Sequence, residues 1–269
     1  MITSTSNRQI KWVKLLQQKG KVRKEENAFV AEGAKLVLET PTALCRQIFI
    51  AESYLEEWTK KKAECSEAMP QVPEEIVTDS VMKAMSDTST PQGVLAIVRR
   101  PSYRLEELLT QHPLHLLLAE GIRDPGNLGT MFRTAEGAGA TGVVLSPETV
   151  DLFNPKTVRS TMGSIYRVPF VVAEDWEETL RMISAAGVSL YAAHLQGEAM
   201  YDTLDYRGDC GFLIGNESSG LTEETAAKAD QYVKIPMGGR LESLNAAMAS
   251  GLLMYEVNRQ RRQEGGRSS

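Results

Sequence analysis

The run Leu114-His115-Leu116-Leu117-Leu118-Ala119 passes through Glu120-Gly121-Ile122-Arg123-Asp124-Pro125-Gly126-Asn127-Leu128-Gly129 into Thr130-Met131-Phe132-Arg133-Thr134-Ala135. A short apolar run, a loop rich in glycine and proline, and then a helical pattern read as strand, loop and helix. A strand apolar on both faces belongs to a sheet covered on both sides, the mark of a mostly parallel sheet in an α/β protein. Asn127 is a candidate cap for the helix, and Arg133 lies in its first turns. Loops at the carboxyl ends of such strands are where α/β proteins place their sites.

The same alternation continues downstream. Strands are expected at Gly142–Leu145, Val168–Val172, Val188–Ala192, Gly211–Ile214 and Tyr232–Ile235. Upstream, Phe29–Ala31, Gln47–Ile50, Glu75–Val77 and Val94–Val98 read as strands, with helices near 34–39, 53–66 and 79–86. The polar, proline-broken stretch Arg99-Arg100-Pro101-Ser102-Tyr103 separates the two halves, giving domains 1–100 and 101–269. The polar tail from Arg259 is expected to fray. Gly137-Ala138-Gly139-Ala140-Thr141-Gly142 has the spacing of a dinucleotide-binding loop. That loop must follow a strand and open a helix, whereas here a helix precedes and a strand follows. It reads as a helix end turned by glycine.

The chain has 269 residues, of which 42% are hydrophobic and 24% charged, an ordinary balance for a soluble globular protein. No apolar run is long enough to span a bilayer, and the N-terminus lacks the apolar core of a secretory signal, so a cytoplasmic protein is expected. Cys45, Cys65 and Cys210 are scattered, and His112, His115 and His194 offer no ligand spacing, so neither disulfides nor a metal are expected. The net charge is -5, yet no acidic residue occurs between Met1 and Lys24. Arg8, Lys11 and Lys14 recur on one helical face, and Ile10, Val13 and Leu16 form another. For a charge run alone a solvated amphipathic helix is the favoured reading; a one-sided basic arm with no compensating acid also fits a phosphate-facing surface.

Two later segments share the character of the first. Phe212-Leu213-Ile214 ends in Gly215-Asn216-Glu217-Ser218-Ser219-Gly220-Leu221, where small residues admit close approach to the backbone. Ile235-Pro236-Met237-Gly238-Gly239-Arg240-Leu241-Glu242-Ser243-Leu244-Asn245 leads into a helix, with Ser243 a natural N-cap. That helix is apolar or small nearly all round as far as Tyr255, which predicts burial on more than one side. Asn245 within it requires a hydrogen-bond partner.

Together these segments resemble the three signature motifs of the SpoU (TrmH-like) RNA ribose 2′-O-methyltransferases of the SPOUT superfamily. The matching residues are Asp124-Pro125, Asn127, Gly129 and Arg133; then Gly215-Asn216-Glu217 and Gly220-Leu221; then Ile235-Pro236-Met237 and Ser243-Leu244-Asn245. Asp151–Lys156 with Arg159-Ser160 resembles a further family segment. Ile2-Thr3-Ser4 and Ala31-Glu32-Gly33 resemble the N-terminal domain of rRNA-type members. Ser218 departs from the glycine common in the family.

The resemblance implies a small N-terminal α/β RNA-binding domain, ribosomal-protein L30-like, and a C-terminal SPOUT domain with a parallel sheet and a deep trefoil knot. It implies S-adenosylmethionine as cofactor, held by Gly215, Asn216, Glu217, Ile235, Met237 and Leu244, and a homodimer. It gives Arg133 the activation of a ribose hydroxyl, with Asn127, Glu217, Ser243 and Asn245 positioning it; Glu217 as the base stays open. RNA contacts are expected at Arg8, Lys11, Lys14, Lys156 and Arg159. The substrate implied is 23S-type rRNA; tRNA modification, a non-catalytic RNA-binding or assembly role, and antibiotic resistance are the other readings. If Lys11 and Lys14 meet phosphate, replacing both by glutamate weakens RNA binding and flattens its salt dependence, as a salt series of binding isotherms would show. Unchanged affinity would return the helix to the solvated-face reading.

Overall fold

The computed structural model describes residues 1–65, 72–240 and 243–265. Leu241 and Glu242 of the third segment and the end of the polar tail lie outside the described residues. The chain forms two compact units, Met1–Pro101 with Asp151–Tyr166, and Ser102–Val150 with Arg167–Ser269.

The first unit is built on four strands, β1 (Ala28–Glu32), β2 (Cys45–Ala51), β3 (Glu74–Val77) and β4 (Val94–Arg99), in the order β1-β4-β2-β3. β4 runs antiparallel to both neighbours, and β3 is parallel to β2. The helix Arg8–Gln18 starts at Asn7, whose side chain accepts from the Gln9 amide at 2.8 Å. Its apolar stripe is wholly buried: Ile10, Val13 and Leu16 pack in one core with Val30, Phe49 and Leu95. Each such side chain contributes about 1.5–3 kcal/mol of burial free energy. Arg8 and Lys11 are exposed and Lys14 is half-buried.

Arg23 departs from the basic-surface pattern of its neighbours. Its guanidinium is buried, paired with Asp151 at 2.7 Å and donating to the carbonyls of Leu16 and Gln17. Those two carbonyls belong to the last turn of Arg8–Gln18, where a cation satisfies groups the helix leaves open. Asp151 opens the segment that completes this unit. Within it the Phe153 ring lies 5.0 Å from that of Phe29, and the Arg100 guanidinium stands 4.4 Å over Phe153.

The second unit carries β5 (His115–Ala119), β6 (Gly142–Leu145), β7 (Phe170–Val172), β8 (Ser189–Ala193), β9 (Ala199–Met200), β10 (Cys210–Ile214) and β11 (Gln231–Lys234). Their order is β7-β6-β5-β10-β8-β11-β9, and every pairing is parallel. All carboxyl ends therefore meet one edge of the sheet. The order reverses between β5 and β10, the kind of switch point where α/β proteins open a crevice. Two-residue β9 has no counterpart in the sequence reading, being too short to leave a pattern.

The helix after β5 spans Pro125–Ala138. Its cap is Asp124, which accepts from the Asn127 amide at 2.8 Å, and Pro125 takes the first helical position. Asn127 is thus inside the first turn rather than the cap, because proline has no N–H to lose there. Gly139 ends the helix at φ 74° and β6 follows, in agreement with the reading of Gly137–Gly142 as a helix end.

The last helix, Ala246–Gly265, is capped by Asn245, not Ser243: Asn245 Oδ1 accepts from the Ala247 and Met248 amides at 2.9 and 3.3 Å. It packs along Pro125–Ala138, where Asn258 donates to the Ala138 carbonyl at 3.1 Å. Leu253, Met254 and Val257 are buried, but Met248, Leu252 and Tyr255 are 60%, 38% and 49% exposed. The expected burial on more than one side is therefore met on one side only in the single chain.

Removing one partner of a buried pair strands the other charge. Asp151→Ala is expected to destabilise the first unit by about 2–3 kcal/mol, less than a fully buried pair because Asp151 is partly solvated. Arg23→Met, which removes the charge and keeps volume, is expected to cost less; urea unfolding of the two variants checks the order.

Candidate cofactor and active site

The three sequence segments converge because β5, β10 and β11 end on the same edge of the sheet. Gly215 continues β10, and the chain then doubles back: the Asn216 amide donates to the Gly220 carbonyl at 3.0 Å and Gly220 returns the bond at 2.9 Å. A Cβ on Gly215 would stand 2.1 Å from the Gly220 carbonyl carbon and 2.2 Å from the Leu221 nitrogen. Only glycine lets the two limbs of the loop lie this close. The Asn216 side chain fixes the loop further, donating to the Gly121 carbonyl at 2.7 Å and accepting from the Ser218 amide at 2.9 Å. Ser218 itself needs no glycine, since among the described residues only Asn27 and Met162 are non-glycines with positive φ.

Between this loop and the segment after β11 lies a cavity of about 390 Å³, within the range of small-molecule sites. Gly215, Asn216, Glu217, Ile235, Met237 and Leu244 all line it, as does Ser243. Ile214, Leu221 and Val233 supply further apolar wall. Ala193, His194, Leu195 and Gln196 also line it, and the sequence reading did not single them out. Ala193 ends β8 and the other three follow it, and the sheet places β8 between β10 and β11. Strand order, which no local pattern carries, was the missing signal. Three aromatic and polar contacts brace that wall: His194 lies over Tyr232 at 4.8 Å, accepts from the Gln196 amide at 3.2 Å, and donates its own amide to Val233.

A chain of side-chain amides joins the three segments. Asn245 donates to Asn127 Oδ1 at 3.0 Å, and Asn127 donates to Glu217 Oε1 at 2.7 Å. Since Asn245 Oδ1 already accepts the first amides of its helix, its NH₂ must face Asn127, and the direction of the whole chain follows. Glu217 both lines the cavity and ends this chain. Arg133 is exposed on Pro125–Ala138, with no hydrogen-bond or ion-pair partner among the described residues.

The remaining candidates sit in the first unit. Lys156 is exposed on the helix Pro155–Ser160, and Arg159 on the same helix pairs with Asp87 at 3.0 Å. Burial pushes the Cys45 thiol up to about 11 and that of Cys210 up to about 12, so neither of these two forms a thiolate near neutral pH.

Fold and site define a parallel-sheet α/β protein with a small-molecule cavity at its switch-point edge and a polar cluster beside it. The chain belongs to the SpoU rRNA methylase family, whose model matches residues 114–255. A second model, the MRM3-like substrate binding domain, matches residues 7–96. Among relatives, the chain is 33% identical to the 23S rRNA (guanosine(2553)-2′-O)-methyltransferase RlmP of Bacillus subtilis, over 95% of this chain and 98% of that protein. Among solved structures, the AdoMet-bound rRNA methyltransferase of Sinorhizobium meliloti superposes with a TM-score of 0.83 at 35% identity, covering 96% of this chain and 97% of that one. The A. aeolicus TrmH/SpoU tRNA modifying enzyme gives a TM-score of 0.51 at 25% identity, covering 60% of this chain and 83% of that one.

The family's cofactor is S-adenosylmethionine, and the cavity suits it: a tight glycine turn, apolar walls and a polar rim. Gly215→Ala is expected to force the loop apart and to lower S-adenosylmethionine affinity by at least about tenfold, measured by calorimetry. Wild-type affinity would place the cofactor elsewhere.

Proposed function

We propose that this protein uses S-adenosylmethionine to methylate a ribose 2′-hydroxyl of 23S-type rRNA. The observation that carries the reading is the hydrogen-bonded chain Asn245–Asn127–Glu217 beside the cavity. It puts a carboxylate of fixed orientation at the rim of a cofactor-sized space. The choice of rRNA over tRNA is supported by the extent of similarity: the Bacillus subtilis and Sinorhizobium meliloti rRNA methyltransferases match 95% and 96% of this chain, whereas the A. aeolicus tRNA-modifying enzyme covers 60%.

S-adenosylmethionine supplies an electrophilic methyl group when bound. Gly215, Asn216, Ile235, Met237 and Leu244 hold it in this reading, and the protein's remaining task is to present a poor nucleophile in line. Alignment alone can supply about 7–11 kcal/mol of the barrier. The guanidinium of Arg133 offers hydrogen-bond donors and no acceptor, so its part is to grip the RNA phosphate or polarise the hydroxyl. The hydroxyl proton needs an acceptor, and Glu217 is the one carboxylate among the described lining residues. Asn127 holds one oxygen of Glu217 and leaves the other for substrate. Asn245 and Ser243 complete the rim.

The same reading carries three further parts. The C-terminal chain forms the family's trefoil knot; in support, β11, last in sequence, lies between β8 and β9, so the β8–β9 connection passes over it. The enzyme acts as a homodimer in the cytoplasm. Exposed Met248, Leu252 and Tyr255, spaced along one face of Ala246–Gly265, support a partner there. Among the described residues no helix is long and apolar enough to cross a membrane. Arg8, Lys11, Lys14, Lys156 and Arg159 contribute to RNA binding.

The test is transfer of labelled methyl from S-adenosylmethionine to unmodified rRNA and tRNA, followed by digestion to nucleosides. A 2′-O-methylnucleoside from rRNA is expected. Arg133→Ala is expected to lower transfer by about a thousandfold or more while leaving calorimetric cofactor affinity within about threefold. A large loss of cofactor affinity would move Arg133 into the cofactor site.

A further inference from the structure

Glu120 stands outside the cavity lining and is not among the residues that match the family's motifs. It follows β5, is only 8% exposed, and has no cation within ion-pair distance among the described residues. Its partners are Thr222 and Thr225. Oε2 accepts from the Thr222 amide at 2.8 Å, while Oε1 accepts from the Thr222 hydroxyl at 2.9 Å and from the Thr225 hydroxyl. The Trp176 indole donates to the same Thr225 oxygen at 3.0 Å, which turns that hydroxyl's proton toward Glu120.

Burying a carboxylate without a cation is costly unless its lone pairs are filled. Here three donors fill them, and bonds to a charged acceptor are roughly twice as strong as neutral ones. The placement of those donors gives the arrangement its meaning. The cavity loop runs from Gly215 to Leu221, and Thr222 is the residue after it. At the other end of the loop, Asn216 donates to the carbonyl of Gly121, the neighbour of Glu120. Both ends of the loop are therefore tied to the dipeptide Glu120-Gly121. That dipeptide also leads into the helix that carries Asn127 and Arg133.

We propose that Glu120 is a positioning residue for the cofactor: its carboxylate anchors the far end of the Gly215–Leu221 loop and so sets S-adenosylmethionine affinity without touching the molecule. The proposal rests on the reading of the cavity as the cofactor site. Glutamate suits the position because every facing group donates; an alanine would free Thr222 and the loop end together.

Calorimetry of S-adenosylmethionine binding to the full chain tests this, with steady-state methylation alongside. Glu120→Ala is expected to weaken binding by about tenfold and to raise KM for S-adenosylmethionine in parallel. It leaves KM for RNA within about threefold of wild type. Glu120→Gln, which keeps an acceptor for Thr222, is expected to recover most of the loss. A general structural defect would not divide the two KM values or respond to glutamine in this way. Should Glu120→Ala fail to fold, Thr222→Val carries the test, with a loss of about threefold in the same direction. Wild-type cofactor affinity in Glu120→Ala, or in Thr222→Val where it stands in, overturns the proposal, as does a loss shared equally between cofactor and RNA. Gly215→Ala in the same series separates the causes: if it alone loses affinity, only the anchor fails. If neither variant does, the cavity is not the cofactor site and the anchor falls with it.

Discussion

One amide, that of Asn127, joins the three chain segments on which the site depends. It takes a hydrogen bond from Asn245 at the start of the last helix and gives one to Glu217 in the loop after β10. Its direction is not free, because the first amides of Ala246–Gly265 occupy Asn245 Oδ1 and so turn the NH₂ of Asn245 toward Asn127. The unsatisfied N–H groups of a helix terminus thus reach, through two side chains, to a carboxylate at the cavity rim.

The sheet supplies the framework for that amide. Parallel pairing throughout the second unit gathers every carboxyl end on one edge, and the reversal of order between β5 and β10 opens space there. Into that space fits a loop whose limbs approach too closely for any side chain at Gly215. Hydrogen bonds from Asn216 to Gly121 and from Thr222 to the buried Glu120 hold the two ends of that loop. An RNA ribose methyltransferase needs this division: a closed apolar recess for the cofactor, and oriented polar groups for a hydroxyl that is a poor nucleophile unaided.

Much of this was legible in the sequence. Leu114–Ala119 and Phe212–Ile214 read as buried strands from their apolar runs, and the segments after them read as sites from glycine, proline and asparagine. The stripe Ile10, Val13 and Leu16 marked the buried face of the first helix. What stayed hidden depended on distance along the chain. Arg23 looked like its lysine neighbours until Asp151, far downstream, neutralised it. His194 and Leu195 entered the cavity only because the fold sets β8 between β10 and β11. Asp124, not Asn127, and Asn245, not Ser243, turned out to be the caps, since several residues could have served each helix and tertiary partners decided. The apolar last helix was read as buried on more than one side; Met248, Leu252 and Tyr255 show that a single chain leaves one face open.

The central claim, ribose methylation of 23S-type rRNA, is tested most directly in the cell. Ribosomal and transfer RNA from cells lacking the protein would be digested and compared by mass spectrometry with RNA from cells in which it is restored. The account predicts a single 2′-O-methylated ribose missing from the 23S rRNA and regained on restoration. An unchanged 23S rRNA, or a methyl group lost from tRNA alone, would contradict it.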